Sequence, residues 1–422
     1  MTHITRIAVG GLFIFSGFIK ANDPSGFSYK LEEYFEVFGQ GFSCDMKLPQ
    51  KSMSGIPCEK DAGVSATTEA PKKPSVSVLK PLWDWFGEHS LFLAIFICAF
   101  EMGVGLFLLL GIKVRWTLFL LLAMIVFFAF LTFYSACCNK VTSCGCFGDA
   151  IKLTPWESFW KDLILLILIA VLFVGEKNIS PLFKNSILIA GIAGIGLFAS
   201  FAFPVYTWRH LPVIDFRPYA IGTNLWTASH SKDPKTTGCV TDSTYSVYYY
   251  QNQRTGAMMH FHSLDSIPED TIWQFFCRDD RKVRTGNCGA TVMDFILSDA
   301  DGNDLTDSLL QMKGIQFFLV MYDIDKTETS DSAVVNRFYS ECAKNNVVFN
   351  GLSNGSGDQV DQFRKKTGAK FPMLTVDGTA LKTVIRSNPG LVMLKDGTVT
   401  AMWHINDFPA YGDVMAKYGG AK

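Results

Sequence analysis

Cys144 and Cys146, one residue apart around Gly145, are the residues of this chain whose type and spacing most clearly permit chemistry. They follow the vicinal pair Cys137-Cys138 and lie between two hydrophobic stretches. A disulfide between Cys144 and Cys146 closes a very small, strained ring. Strained disulfides are the readily reduced, catalytic or regulatory kind. The expected chemistry is thiol–disulfide exchange, with Cys144 and Cys146 as the redox pair. The alternative is a structural thiol cluster that pairs elsewhere and only pins the loop. For Cys137 and Cys138 that structural role stands beside a role in resolving a mixed disulfide.

The elements that position these thiols read as membrane spans. The chain has 422 residues, 49% of them hydrophobic, and a formal net charge of −1. That is enough chain for roughly two or three domains, and the charge balance leaves no electrostatic footprint for nucleic acid. Leu91–Leu110 and Trp116–Phe133 are long enough to cross a bilayer, and Pro155–Val174 is a third candidate. Ile187–Phe203 is a last one, with Gly191, Gly194 and Gly196 spaced to let neighbouring helices approach. Ile4–Ile19 is shorter, but no A-x-A-like cleavage site follows it, so it reads as an uncleaved first span. Thr154, Pro155 and Glu157 predict an N-cap, first helical residue and capping-box acid for the helix after the cysteine loop.

Basic residues in the short loops set the expected orientation. Lys113 and Arg115 mark one cytoplasmic loop, and Lys177 with Lys184 mark another. The N-terminus is then cytoplasmic, and loops 21–88 and 134–154 lie outside with everything after residue 204. Cysteine placement agrees: of eleven cysteines only Cys98 falls within a span. Disulfides persist in an oxidising compartment such as the periplasm. The expected location is therefore a bacterial inner (cytoplasmic) membrane with periplasmic C-terminal domains.

Three domains are expected. Residues 1–203 form the bundle, with the long outer loop 21–88 and the Cys-rich loop 134–154. Ser65–Ser75 within the outer loop reads as a disordered linker, and Trp83 and Trp85 suit an interfacial lead-in to the second span. Residues 204–312 form a β-rich linker module with strands at Val247–Gln251 and Thr291–Leu297. His260 and His262 alternate there, but two histidines do not complete a metal site. Cys277 and Cys288 are a candidate structural disulfide, and Cys239 has no obvious partner. Residues 313–422 alternate as α/β: strand Ile315–Tyr322, helix Ser332–Asn345, strand Val347–Gly351, helix Asp358–Thr367, then a hairpin Gly390–Leu394 and Val399–His404 turning at Asp396-Gly397.

The first 200 residues resemble the DoxX/MauE group of bacterial membrane proteins, in the form found in Bacteroidota. The residues that carry this are Ser16–Lys20, Asp23–Phe27, Lys30–Tyr34, Glu101 ahead of Gly105 and Gly111, and Cys144-Gly-Cys-Phe-Gly148 before a membrane helix. Leu211–Tyr219 and Gly222-Thr-Asn224 resemble the multidomain version. The resemblance implies a four-helix membrane bundle, here with one further span, associated with redox or disulfide metabolism. The bundle is also similar to vitamin K epoxide reductase, which pairs loop cysteines with a membrane-surface dithiol and passes electrons to a quinone. Mapped by position, Cys44 and Cys58 take the place of the loop pair and Cys144 and Cys146 that of the surface pair, with C-x-C replacing C-x-x-C. The last 110 residues resemble a thioredoxin-like domain, Asn388-Pro389 matching the cis-proline that helps bind partner chains. Where thioredoxins carry C-x-x-C this chain reads Asp325–Ser330, so the resemblance implies docking of a client at Pro389 rather than reaction.

The resulting expectation is an inner-membrane thiol–disulfide relay that supports periplasmic disulfide or redox maturation, with a periplasmic client or redox partner and the lipid bilayer as its surroundings. Glu101, ionisable inside a span, is a candidate proton donor to a quinone or a buried partner for Lys20 or Lys161. No metal is expected, since the spacing of the four cysteines from 137 to 146 fits no familiar zinc or cluster pattern. The competing expectation is a non-catalytic scaffold or adaptor whose disulfides are fixed and whose thioredoxin-like domain recruits partners.

Overall fold

A computed structural model describes residues 2–41, 79–138, 141, 145, 147–151, 153–230, 239–240, 243–261, 272–284, 288–292 and 295–419, with backbone alone for 243–246 and 277–284. Cys44, Cys58, Cys144, Cys146, His262 and the segment Ser65–Ser75 lie outside the described residues, and Cys277 is described by its backbone only.

Helices α1 (Thr2–Asn22) and α2 (Pro24–Gly39) are separated by Asp23 alone. Asp23 caps α2, accepting the Gly26 N–H at 2.9 Å, and Pro24 takes the first helical position. The outer loop expected from residue 21 is corrected here. Phe27, Leu31, Tyr34 and Phe38 recur at helical spacing, and all four are buried in the bundle core. Then follow α3 (Lys80–Glu88), α4 (Ser90–Leu110), α5 (Val114–Cys138), α6 (Pro155–Val174) and α7 (Ser186–Arg209). On α3, Trp83 packs on Phe35 and Phe38 while Trp85 stays exposed.

Among the described residues, α1, α4, α5 and α7 are long and apolar enough to cross a membrane. That makes four candidate spans against five expected. Helix α6 packs along α5, but Glu157, Lys161 and Asp162 interrupt its first two turns, so its unbroken apolar stretch begins only at Leu163. Its start is as expected: Thr154 and Glu157 form the capping box, with Pro155 at the first position.

Close helix approach is found at one of the three glycines expected to allow it on α7, and more tightly on another helix pair. A Cβ on Gly191 or Gly194 would meet nothing within 4 Å, because most of α7 lies at the bundle edge, and only Gly196 faces a neighbour, Leu106. The tight seam is α1 against α4, where a Cβ on Gly105 would stand 2.9 Å from the Gly10 carbonyl oxygen and one on Gly17 3.1 Å from that of Cys98. At one end of this seam Arg6 closes α4. Its guanidinium donates to Leu108 O and Ser180 O, each at 2.8 Å, and to Leu109 O. Leu108 O and Leu109 O belong to the last turn of α4, whose carbonyls lack an intrahelical donor, and Ser180 O lies in the loop before α7.

The C-terminal α/β region carries a five-stranded sheet of order β6-β5-β4-β7-β8. Its strands are β4 (Ile315–Met321), β5 (Val348–Ser353), β6 (Met373–Thr375), β7 (Gly390–Lys395) and β8 (Thr398–His404). β4, β5 and β6 are parallel, joined by the helices Ser332–Lys344 and Gly357–Thr367, while β7 and β8 run antiparallel. β4 is buried on both faces, as a continuous apolar run demands: Phe317, Leu319 and Met321 on one side, Phe318 and Val320 on the other. Asp396 and Gly397 turn the β7–β8 hairpin with φ of 51° and 74°. The stretch 220–226 runs against it, Gly222 N–H donating to Val399 O and Leu225 N–H to Gly397 O.

Thr291–Leu297 was expected as a strand, yet its described residues pair into neither sheet; only Ser298 beyond it bridges, to Asp304 and Thr375. Its alternation serves loop packing, with Val292, Phe295 and Leu297 buried and Phe295 edge-on to Tyr219.

Thr227–Thr291 forms a separate compact unit. Three antiparallel strands, β1 (Ser243–Asn252), β2 (Met258–Phe261) and β3 (Trp273–Arg284), stand in the order β2-β1-β3. The expected pairing of Cys288 with Cys277 is overturned: Cys288 is bonded to Cys239, their Cα atoms 5.3 Å apart across 49 residues of sequence. A long loop brought to bridging distance decides the pairing, which sequence proximity had suggested wrongly.

Candidate functional site

The end of the bundle where α1, α5 and α7 finish and α4 and α6 begin carries the cysteine loop and the α/β region. Of the loop's described thiols, Cys138 is disulfide-bonded and Cys137 is a thiol at the end of α5. Gly145, between Cys144 and Cys146 in sequence, has a φ of +67°, and a Cβ there would lie 3.3 Å from the Lys30 side chain. A glycine is thus required both by the left-handed backbone and by the closeness of α2. By Phe147 the chain is packed into the bundle. Phe147 is buried with Leu12, Phe15 and Leu153 around it, and its ring lies 5.2 Å from Lys161 Nζ.

Inside the bundle, two ion pairs border one small void. Lys20 Nζ lies 2.5 Å from Glu101 Oε2, both side chains almost wholly buried. The ammonium also sits 4.3 Å over the Phe128 ring. Lys161 Nζ lies 2.7 Å from Asp162 Oδ1, and Thr132 donates to Asp162 Oδ2 at 3.1 Å. Glu101 is therefore a partner of Lys20. Asp162, fully buried about two turns into α6, went unnoticed in the sequence, where it stands beside Lys161 and reads as half of an ordinary charged pair near a helix start. The void shared by Lys20, Glu101, Lys161 and Asp162 has a volume of about 10 Å³. That is room for a single water. A quinone ring does not fit in this void beside Glu101.

A larger cavity, about 420 Å³, opens between α2, the cysteine loop, the stretch 212–217 and the helix Gly378–Val384. Charged groups built around it dock the α/β region on the bundle. Arg386 holds Asp23, Nε donating to both carboxylate oxygens at 2.9 Å. Burial alone would raise the Asp23 pKa, but the Arg386 charge and hydrogen bonds, with Arg217 and the Gly26 N–H, outweigh it and hold the carboxyl below its ordinary range. Arg217 is clasped by Asp215 and donates to Val384 O at 3.1 Å. Asn22 makes a two-way bond with Ile214, donating to its carbonyl at 2.7 Å and accepting its N–H at 3.0 Å. Tyr29 of α2 meets Tyr322 edge-on, and burial followed by Tyr322 pushes the Tyr29 hydroxyl above its usual value. None of Arg386, Arg217 or Tyr322 has a local sequence signal; Asp23-Pro24 does, as a helix cap.

Pro389 follows a cis peptide bond, as predicted. Asn388 ties this bend to the strand-to-helix loop, donating to Asp323 O at 2.7 Å and accepting Glu328 N–H at 3.0 Å on its carbonyl. The bend borders a groove of about 970 Å³ between the α/β region and the bundle, lined by Tyr29, Glu32, Trp208, His210, Tyr322 and Asn388 among others. The described cysteine of the α/β region, Cys342, is buried in its core, and burial pushes its thiol up to about 12. With so little thiolate at pH 8, iodoacetamide is expected to leave Cys342 unmodified in the folded chain while labelling it fully after denaturation. Mass spectrometry of the peptide containing Cys342 checks this.

Fold and site thus define a helical membrane protein with a cysteine loop and an α/β region at one end of its bundle. Residues 80–175 match the family described as methylamine utilisation protein MauE. The matched stretch runs from α3 through α6, so it takes in Glu101, Cys137, Cys138, Cys144 and Cys146. The match makes it similar to a membrane family linked with redox or cofactor maturation. No curated protein matches the chain.

Proposed function

We propose that this is an inner-membrane thiol–disulfide relay component supporting redox maturation of periplasmic proteins. Cys144 and Cys146 are the exchanging pair, and Cys44 with Cys58 or a partner protein supplies the opposite pair. One thiolate attacks a partner disulfide, the second resolves the mixed disulfide, and the partner leaves as a dithiol while Cys144–Cys146 becomes the disulfide; the reverse order oxidises the partner. The observation that carries the reading is the MauE match across the cysteine loop. The sheet order and cis-Pro389 support a thioredoxin-like α/β region that holds partners without reacting, since its described cysteine is buried. The basic loops at the opposite end from the cysteines support an N-terminus in the cytoplasm.

A fixed scaffold is the second reading, favoured by the disulfides already made at Cys138 and between Cys239 and Cys288. Acid trapping of cells followed by mass-tag alkylation separates the two. The relay requires Cys144 and Cys146 in both thiol and disulfide forms, and Cys144→Ser to leave a trapped mixed disulfide on Cys146 or to stop exchange. Permanent oxidation of both thiols, with client disulfides unchanged in Cys144→Ser, would sink it.

A further inference from the structure

Arg386 reaches from the α/β region to the turn that follows Cys146. Its side chain is 7% exposed and fixed before it meets that turn: Nε and Nη2 hold Asp23, and Nη1 donates to Lys382 O. Nη2 also lies 3.9 Å from Asp149 Oδ2. Asp149 sits in the turn Phe147–Ala150, which among the described residues is held by few contacts beyond those of Phe147. Gly145 and Gly148 take positive φ, and the turn's backbone bonds are Gly148 N–H to Gly145 O and Ala150 N–H to Phe147 O. Phe147 is its apolar anchor and Asp149 its charged one. A half-exposed carboxylate normally gains little from an ion pair, because two long side chains must be ordered. Here the arginine is already ordered by Asp23, so that cost is absent on its side.

Resting on the relay reading above, we propose that Arg386 is a positioning residue for the turn Phe147–Ala150, which follows the Cys144 and Cys146 pair in sequence, acting through Asp149 when the α/β region is docked. Asp149→Asn isolates the contact because it leaves the Asp23–Arg386 clasp intact. The test is hydrogen exchange of the full-length protein in detergent, followed on peptides covering residues 147–151 and, as a docking control, 24–30. Asp149→Asn is expected to speed exchange in 147–151 by about three- to fivefold, the scale of one partly exposed ion pair, with 24–30 unchanged. Arg386→Gln should speed both segments, Arg386→Lys, which keeps the charge but not the fork, should restore the protection only in part, and Arg386→Gln added to Asp149→Asn should speed 147–151 no further. Unchanged exchange of 147–151 in Asp149→Asn overturns the proposal whatever the cysteines do. Faster exchange there supports positioning even if acid trapping shows Cys144 and Cys146 permanently oxidised, a result that would remove the relay alone.

Discussion

Lys20→Met is expected to destabilise the bundle by about 3–5 kcal/mol, whereas Lys20→Met combined with Glu101→Met should fall within about 1–2 kcal/mol of the parent. The single change leaves the Glu101 carboxylate without its ammonium at 2.5 Å, in a site where both side chains are almost wholly buried. The other ammonium on the same void, Lys161, is held by Asp162, and the void has room for about one water. The double change replaces a desolvated pair by apolar groups of similar length, which the surrounding Phe13, Ile125, Phe128 and Leu165 accept. Thermal unfolding in detergent micelles of the parent, both single variants and the double variant gives the coupling. An additive cycle would show that the ion pair contributes no interaction of its own.

The second large effect is acid release of the α/β region. The folded-state pKa of Asp23 is depressed, so its contribution is present above the unfolded carboxyl value, about 3.9. It is lost as pH falls through the lower folded value. The guanidinium midpoint should therefore hold through neutral and mildly acid pH and fall below about pH 4, the side on which the unfolded carboxyl takes up its proton. Asp23→Asn should flatten that dependence and start from a lower midpoint. Arg386→Met should cost about 1–3 kcal/mol at pH 7, since it leaves the partly buried Asp23 without its main charged hydrogen-bond partner, with Arg217 the remaining positive charge acting on it. Circular dichroism across pH 3–7 measures all three. An acid-insensitive parent would mean that Asp23 does not titrate on unfolding.

Local rules made much of this legible in the sequence. The capping box at Thr154 and the hairpin turn at Asp396-Gly397 are each written within a few neighbouring residues, and each is found, whereas the cis bond before Pro389 was expected only from the thioredoxin-like resemblance. The apolar runs located the bundle helices for the same reason. Helix α2 was missed because its burial stripe, Phe27 to Phe38, is diluted by Lys30, Glu32, Glu33 and Glu36, which leaves no apolar run to notice. Thr291–Leu297 misled in the opposite sense, since alternating burial also arises in a loop pressed onto a core. The docking groups were illegible. Arg386 meets Asp23 across 363 residues and Asn22 meets Ile214 across 192, and no local pattern marks such partners.

Those separations bear on how the chain is made. A ribosome delivers Asp23 at the end of the first helix long before it delivers Arg386. The Asn22 amide waits for Ile214, and until Arg386 follows the Asp23 carboxylate has its cap bond to the Gly26 N–H but not its charged partner. The membrane half therefore completes its upper surface last, when the final segment arrives and closes over it. A product truncated before residue 386 would carry an unfinished surface, which gives quality-control proteases a ready means of telling partial chains from whole ones.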